Sequence, residues 1–347
     1  MIDLRSDTQT RPSQAMREAM AGAEVGDEQE REDPTVLELE RRAAELLGHE
    51  EAVYLPTATM ANEIALVILG ERGTELIVEE TAHIMTAELG GPALHAGLQT
   101  RGLPGHLGRL SPEQLRTTRH AGGSFHVPRT SVVAIENTHN NAGGIVWPLA
   151  ELQAVLAVAR ELELKTHLDG ARLLNASVAS GVSPRELARG FDTVSLCLSK
   201  GLGCPLGALI AGSHELMYLA RREKHRAGGA MRQAGIVAAA GVFALDRNVD
   251  RLAEDHARAR RLAEGWAAQG VPIDLERVQT NFVQVEVGAL GLGEREALDL
   301  LSARGVALSG TMRPGVLRAV THLDLTDDDV ERALELVPQA LGTRVHA

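Results

Sequence analysis

Ser195-Leu-Cys-Leu-Ser-Lys-Gly-Leu-Gly-Cys-Pro-Leu-Gly-Ala208 sets Lys200 between an apolar run, Val194 to Leu198, and a glycine-rich segment, Gly201 to Gly207. The run reads as a buried strand, and the glycines let the backbone approach a ligand closely. A lysine leaving a strand end into such a loop is placed to meet a bound molecule. Its amine, once neutral, is a nucleophile that forms a Schiff base with a carbonyl compound, and pyridoxal phosphate is one such partner. A structural lysine capping a turn is the competing reading, and the rest of the chain decides between them.

Working outward, Lys165-Thr-His-Leu-Asp169 is a short strand ending in a carboxylate, and Gly170-Ala-Arg172 starts the next helix. Val132-Val-Ala-Ile135 is a strand that delivers Glu136-Asn-Thr-His-Asn-Asn141, and Glu75-Leu-Ile-Val78 leads to His83. Ala52-Val-Tyr-Leu55 feeds Pro56-Thr-Ala-Thr-Met-Ala-Asn62 and a helix from Ile64 to Leu69. Free N–H groups and the dipole at that helix start suit a phosphate, with hydroxyls from Thr57 and Thr59; a plain N-cap is the alternative. Gly90-Gly-Pro92 and Gly102 to Gly108 read as loops. Ala208-Leu-Ile-Ala211 completes a strand, loop, helix rhythm with polar groups at strand ends. The fold class is therefore α/β, with a mostly parallel sheet covered on both faces.

Asp33 is read as the N-cap of a helix opening at Pro34, and helices are expected at Pro12 to Gly22, Ser213 to Arg226, Met231 to Asp246 and Val249 to Ala268. Beyond them, alternation at Asn281 to Val287, a helix at Glu294 to Arg304, a strand at Val316 to Val320 and a Thr326-capped helix describe a small α+β lobe. The expected organisation is an N-terminal arm, helix and loop over 1–30, a large domain over 31–247 and a small C-terminal domain over 248–347.

The 347 residues carry 44% apolar but only 2% aromatic side chains, so aliphatic groups must pack the core. A net charge of −12 argues against a nucleic-acid or anionic-membrane partner. Cys197 and Cys204 form no disulfide framework, and no stretch has a signal-peptide or membrane-spanning pattern, which predicts a cytoplasmic protein. No residues are assigned to a metal.

Lys200, Asp169, His83 and the polar helix start together meet the needs of a pyridoxal phosphate site: amine, partner for the pyridine nitrogen, stacking ring and phosphate cradle. Arg5-Ser-Asp-Thr8, Asp33-Pro-Thr35, Pro56-Thr-Ala-Thr-Met-Ala-Asn62, Ala82-His83, Glu136-Asn-Thr-His139, His167-Leu-Asp-Gly-Ala-Arg172, Leu198-Ser-Lys-Gly-Leu-Gly203, Gly229-Ala-Met-Arg-Gln-Ala-Gly235 and Arg318-Ala-Val-Thr-His-Leu-Asp324 closely resemble the L-threonine aldolases of the β-eliminating lyase group. The resemblance runs from Arg5 to about Asp324. It implies an aspartate aminotransferase-like fold, a homotetramer with shared active sites, and reversible cleavage of L-threonine, L-allo-threonine and related β-hydroxy-α-amino acids to glycine and an aldehyde.

Position by position, the resemblance implies Lys200 as the Schiff-base lysine, Asp169 as the pyridinium partner and His83 as the stacking ring. Ala58, Thr59 and Met60 match the phosphate cradle, with Arg232 reaching it from another subunit. Arg172 matches a residue between the cofactor's ring oxygen and the substrate; Ser6, Arg172 and Arg318 match the substrate-carboxylate clamp, and His126 a histidine near the substrate hydroxyl. Arg313 is read as a solvated loop charge. His83, His126 or a water held by them are the candidate bases. Ala58 and Met60 depart from the family's usual glycine and glutamine, and Glu30 and Ala87 stand where aromatics are common, which bears on the aldehyde pocket. The alternatives are another pyridoxal phosphate lyase or aminotransferase, or a non-catalytic cofactor-binding protein.

Overall fold

The computed structural model describes residues 1–343; residues 344–347, the tail of the expected small domain, lie outside the described residues. The strands are β1 (Ile2–Asp3), β2 (Glu51–Leu55), β3 (Glu75–Glu79), β4 (Gln99–Leu103), β5 (Thr130–Glu136), β6 (Lys165–Gly170), β7 (Thr193–Cys197), β8 (Ala208–Gly212), β9 (Phe282–Val285), β10 (Val306–Ala307), β11 (Ser309–Gly310) and β12 (Leu317–Val320). β2 to β8 form one sheet in the order β2-β8-β7-β6-β5-β3-β4. From β7 to β4 the neighbours run parallel, while β8 is antiparallel to both β7 and β2. The reversal follows directly from the quoted stretch. A turn as short as Leu198 to Gly207 cannot carry the crossover that a parallel neighbour needs.

Both faces of the sheet are buried, as expected. Val133, Ile135, Leu168, Val194 and Leu196 share one core with Leu152, Val155 and Leu173. Val132 and Ala134 point the other way, into a cluster with Leu66, Leu76 and Val78. The period-two alternation of β5 thus splits between two cores.

Several boundaries differ from the sequence expectation. β4 forms where only loops were expected; Gly102 and the exposed Gln99 mask the strand pattern, and parallel pairing with β3 supplies what propensity does not. The helix expected from Ile64 begins at Ala58, because the Thr57 hydroxyl caps it by accepting from the Met60 amide at 3.1 Å. The helix expected from Met231 begins at Gly235, whose amide donates to Asp33 at 2.8 Å. Asp33 also caps the helix Pro34–Leu47, accepting from Val36 at 3.0 Å, so one carboxylate anchors two helix starts.

In the C-terminal lobe β11-β12-β9 is antiparallel, and β1 pairs in parallel with β10. Ile2 and Leu4 enter the same core as Leu262, Trp266, Val283, Leu317 and Val337. From there the arm crosses to the large sheet. Among the described residues no helix is long and apolar enough to cross a membrane.

Candidate active site

The register of β6 against β7 pairs His167 with Thr193 and Asp169 with Ser195. These polar side chains stand on the face opposite Leu168, Val194 and Leu196, beneath the helix Ala58–Leu69. Asn62 of that helix joins them. Its Oδ1 accepts from Ser195 Oγ at 2.9 Å and faces His167 Nε2 at 3.1 Å; its Nδ2 donates to Asp169 Oδ2 at 2.8 Å and to Glu88 Oε1 at 2.9 Å. Burial pushes the His167 imidazole down to about 4, so it is neutral and acts as a hydrogen-bonding spacer. Asp169 is buried and also accepts from the Ala171 amide at 3.0 Å; among the described residues its donors are neutral.

His83 enters from the end of β3. Its backbone amide donates to Glu136 at 2.7 Å, and its Nδ1 lies 2.8 Å from Glu88 Oε1. The bond to Glu88 raises the imidazole above its ordinary value despite partial burial, and Asp169 and Glu136 add to the effect. Because a carboxylate can only accept, the proton sits on Nδ1 and the neutral ring keeps its lone pair on Nε2.

Lys200 follows β7, half-buried, with its carbonyl accepting from Gly203 at 2.8 Å. Gly203 has φ +78°, and Gly207 has φ +112° with no room for a Cβ, which would lie 2.7 Å from the Tyr54 hydroxyl. Here the glycines are required by the turn. At the end of β2, the cap uses the Met60 amide and leaves those of Ala58 and Thr59 without an intrahelical acceptor. Met60 itself packs on Gly229, where an added Cβ would lie 2.4 Å from its sulfur. The segment carrying Arg232 therefore borders the turn of its own chain, while Arg232 is exposed and pairs with Asp27 at 2.9 Å.

The two arginines are held differently. Arg172 gives Nε and Nη2 to Asp7 at 2.7 and 2.6 Å, and its Nη1 is 3.4 Å from Asn140 Oδ1. Arg318 donates to the same Asn140 oxygen at 2.9 Å and to Ser309 at 3.0 Å, leaving Nη2 without an acceptor among the described residues. Both guanidinium groups lie over Phe282, at 4.8 and 5.6 Å from its ring centroid. Burial alone would raise the Asp7 carboxyl, but Arg172, the Lys200 charge and Asn281 outweigh it and hold it at about 2. Ser6 accepts from the Thr8 amide and hydroxyl at 3.2 and 2.8 Å, so its own O–H remains to be donated.

Not every expected residue converges. His126 is exposed in the 119–129 loop, 3.1 Å from Ser124 Oγ and edge-on to Phe125, with no hydrogen bond to a strand-end residue among the described residues. Glu30 and Ala87 are exposed. Arg313, read as a solvated loop charge, is partly buried: it pairs with Glu286 at 3.2 Å and donates to Gln284 at 3.1 Å. The sequence reading missed Asp7, Asn62, Glu63, Glu88 and Asn140. The available signals were an acid inside the polar arm, and an Asn-Glu pair interrupting the otherwise apolar helix that ends at Leu69.

A family model described as beta-eliminating lyase matches residues 3–289, and the chain belongs to that family. It is 42% identical over 333 residues to the low specificity L-threonine aldolase of Escherichia coli K12, covering 95% of this chain and 96% of that protein. The fold is shared with the threonine aldolase of Leishmania major, at a TM-score of 0.85 and 21% identity, over 98% of this chain and all of that one. Aspartate aminotransferase of Thermus thermophilus superimposes at a TM-score of 0.72 and 16% identity, over 98% and 91% of the two chains. The architecture is thus aspartate aminotransferase-like, with a mostly parallel central sheet and a small antiparallel sheet beside it.

Proposed function

We propose that the chain is a pyridoxal-phosphate-dependent aldolase that reversibly cleaves L-threonine, L-allo-threonine and related β-hydroxy-α-amino acids to glycine and an aldehyde. The observation that carries this reading is the arrival of His83, Asp169 and Lys200, from the ends of β3, β6 and β7, at the same end of one sheet beside Arg172 and Arg318. The donor set fits the cofactor. Asp169 is a buried carboxylate held by neutral donors, suited to a protonated ring nitrogen. The Ala58 and Thr59 amides at a helix start suit a phosphate, with Arg232 as a second charge. Lys200 supplies the amine and His83 a ring to stack. When bound, the cofactor supplies an electron sink for the pair released as the Cα–Cβ bond breaks.

The remaining work belongs to the chain's own residues. Arg318, helped by Ser6 and by Nη1 of Arg172, holds the substrate carboxylate and thereby sets which bond at Cα is broken. His83, with its Nδ1 proton committed to Glu88, offers Nε2 to the β-hydroxyl proton. His126 is the second candidate base, and Arg232 reaches the phosphate of a neighbouring copy in a homotetramer with shared sites. The large unit over 31–247 carries the cofactor and the unit over 248–347 contributes Arg318, with the arm of residues 1–30 bringing Ser6 and Asp7 beside it. The free thiols of buried Cys197 and Cys204 are in keeping with a cytoplasmic enzyme.

Purified protein loaded with pyridoxal phosphate is expected to release glycine from L-threonine, L-allo-threonine and L-phenylserine. Amino transfer to a keto acid without glycine release would overturn the reading.

A further inference from the structure

Behind His83 lies a second carboxyl that the proposed reaction does not use. Glu63, the residue after Asn62 on the same helix, is buried, and neither of its carboxyl oxygens has a donor among the described residues. Its Oε1 rests on the backbone of Gly91, where an added Cβ would lie only 1.8 Å away. Its carboxyl is within hydrogen-bonding reach of Glu88, whose Oε2 is likewise buried without a donor. Glu88 Oε1, by contrast, already receives Asn62 Nδ2 at 2.9 Å and faces His83 Nδ1 at 2.8 Å. Two facing buried acids with no cation between them share one proton. The acid that accepts nothing is the one that keeps it.

We propose that Glu63 is a protonated positioning residue: its O–H donates to Glu88 Oε2, aims the Glu88 carboxylate at Nδ1 of His83, and so fixes the tautomer that leaves Nε2 free to take the substrate's hydroxyl proton. The relay runs from Glu63 through Glu88 to His83, with Asn62 tying the same Glu88 oxygen to Asp169. The charged groups facing this relay are Asp169 from β6 and Glu136 from the end of β5, both acting on His83, while Glu63 faces Glu88 alone. Burial, with the Glu88 charge next, raises the Glu63 carboxyl to about 8. Its proton is therefore present at neutral pH and lost in mild alkali, where the two carboxylates repel and His83 loses its fixed partner.

This inference rests on the aldolase reading for its kinetic part only. In the pyridoxal-phosphate-loaded protein, an infrared difference spectrum between about pH 7 and about pH 10 is expected to lose a protonated-carboxyl C=O band, and the band is expected to be absent in Glu63→Gln. Glu63→Leu removes the donor and is expected to lower kcat for L-threonine about tenfold. Glu63→Gln keeps an N–H donor; it is expected to recover most of that loss and to move the alkaline limb of the kcat profile up by at least about one pH unit. A band that persists in Glu63→Gln, or an alkaline limb that does not move, would overturn the proposal. Wild-type protein that shows the band but cleaves no β-hydroxy amino acid would remove the aldolase reading and leave the proton on Glu63 standing.

Discussion

At the strand ends, Asp169, Asn62, Glu88 and His83 hold one another through bonds of 2.8 to 2.9 Å inside one chain, whereas His126 and Arg232, the rim of the proposed site, are exposed and bonded to Ser124 and Asp27. The inner groups are fixed by a sheet register and a helix cap, so their positions are set as soon as the sheet forms. An exposed ion pair such as Arg232 with Asp27 contributes at most about 1 kcal/mol and is readily exchanged for a ligand or a neighbouring subunit. One half of the site is finished by folding. The other half, on the proposed roles of His126 and Arg232, is left to be completed by what binds.

If that division is right, substitutions at the strand ends abolish chemistry and those at the rim weaken binding. The largest effect is expected for Lys200→Ala, which should remove the visible absorbance of lysine-bound pyridoxal phosphate and lower turnover by at least about 10³-fold. Retained turnover would break the comparison at its centre. Asp169→Ala is expected to lower kcat by about 10²- to 10³-fold with a smaller change in KM, because it removes charge stabilisation at the reacting ring.

Asp7→Asn tests the joint between arm and site. It leaves Arg172 buried without its counter-charge, and a cost of about 3–5 kcal/mol in unfolding free energy is expected from denaturant titration. The sign for the wild-type protein follows from the same pair. A carboxyl whose folded value lies near 2 stabilises above its unfolded value of roughly 3.9, and that stability is lost as pH falls through about 2. Acid unfolding of wild-type protein should therefore show a component between about pH 4 and about pH 2 that is missing in Asp7→Asn.

The smallest effect is expected at the rim. Arg232→Ala should raise the cofactor Kd about tenfold, in line with one charge-assisted phosphate contact. At pyridoxal phosphate concentrations limiting for Arg232→Ala, mixing Lys200→Ala subunits with Arg232→Ala subunits should recover activity if Arg232 serves a neighbour's site. Without recovery, Arg232 belongs to its own chain, beside Met60 and Gly229.

Much of the inner half could be read in the chain. The apolar run before Lys200 and the carboxylate closing Lys165-Thr-His-Leu-Asp169 both sit at strand ends, as expected from patterning, and Asp33 and Thr326 cap the helices assigned to them. Misplaced starts, at Ala58 and Gly235, have local causes: a threonine cap and a distant carboxylate that outrank propensity. The arm is a clearer failure. Nothing near Asp7 in sequence shows that it is buried, because its burial comes from Arg172 and Asn281, far along the chain.

By itself, the sequence determined the strand, loop and helix rhythm, the lysine in its glycine-rich turn and the acid that closes a strand, because these depend on periodicity and on neighbours a few residues apart. Only the tertiary structure decided that Arg172 is committed to Asp7 while Arg318 keeps a free edge, and that Asn62 gathers Asp169, Glu88, His167 and Ser195 around one amide. The physical reason is burial. Which polar groups lose water, and which partner replaces it, depends on segments more than a hundred residues apart, such as Asn62 and Asp169, that meet only when the sheet closes beneath its helices.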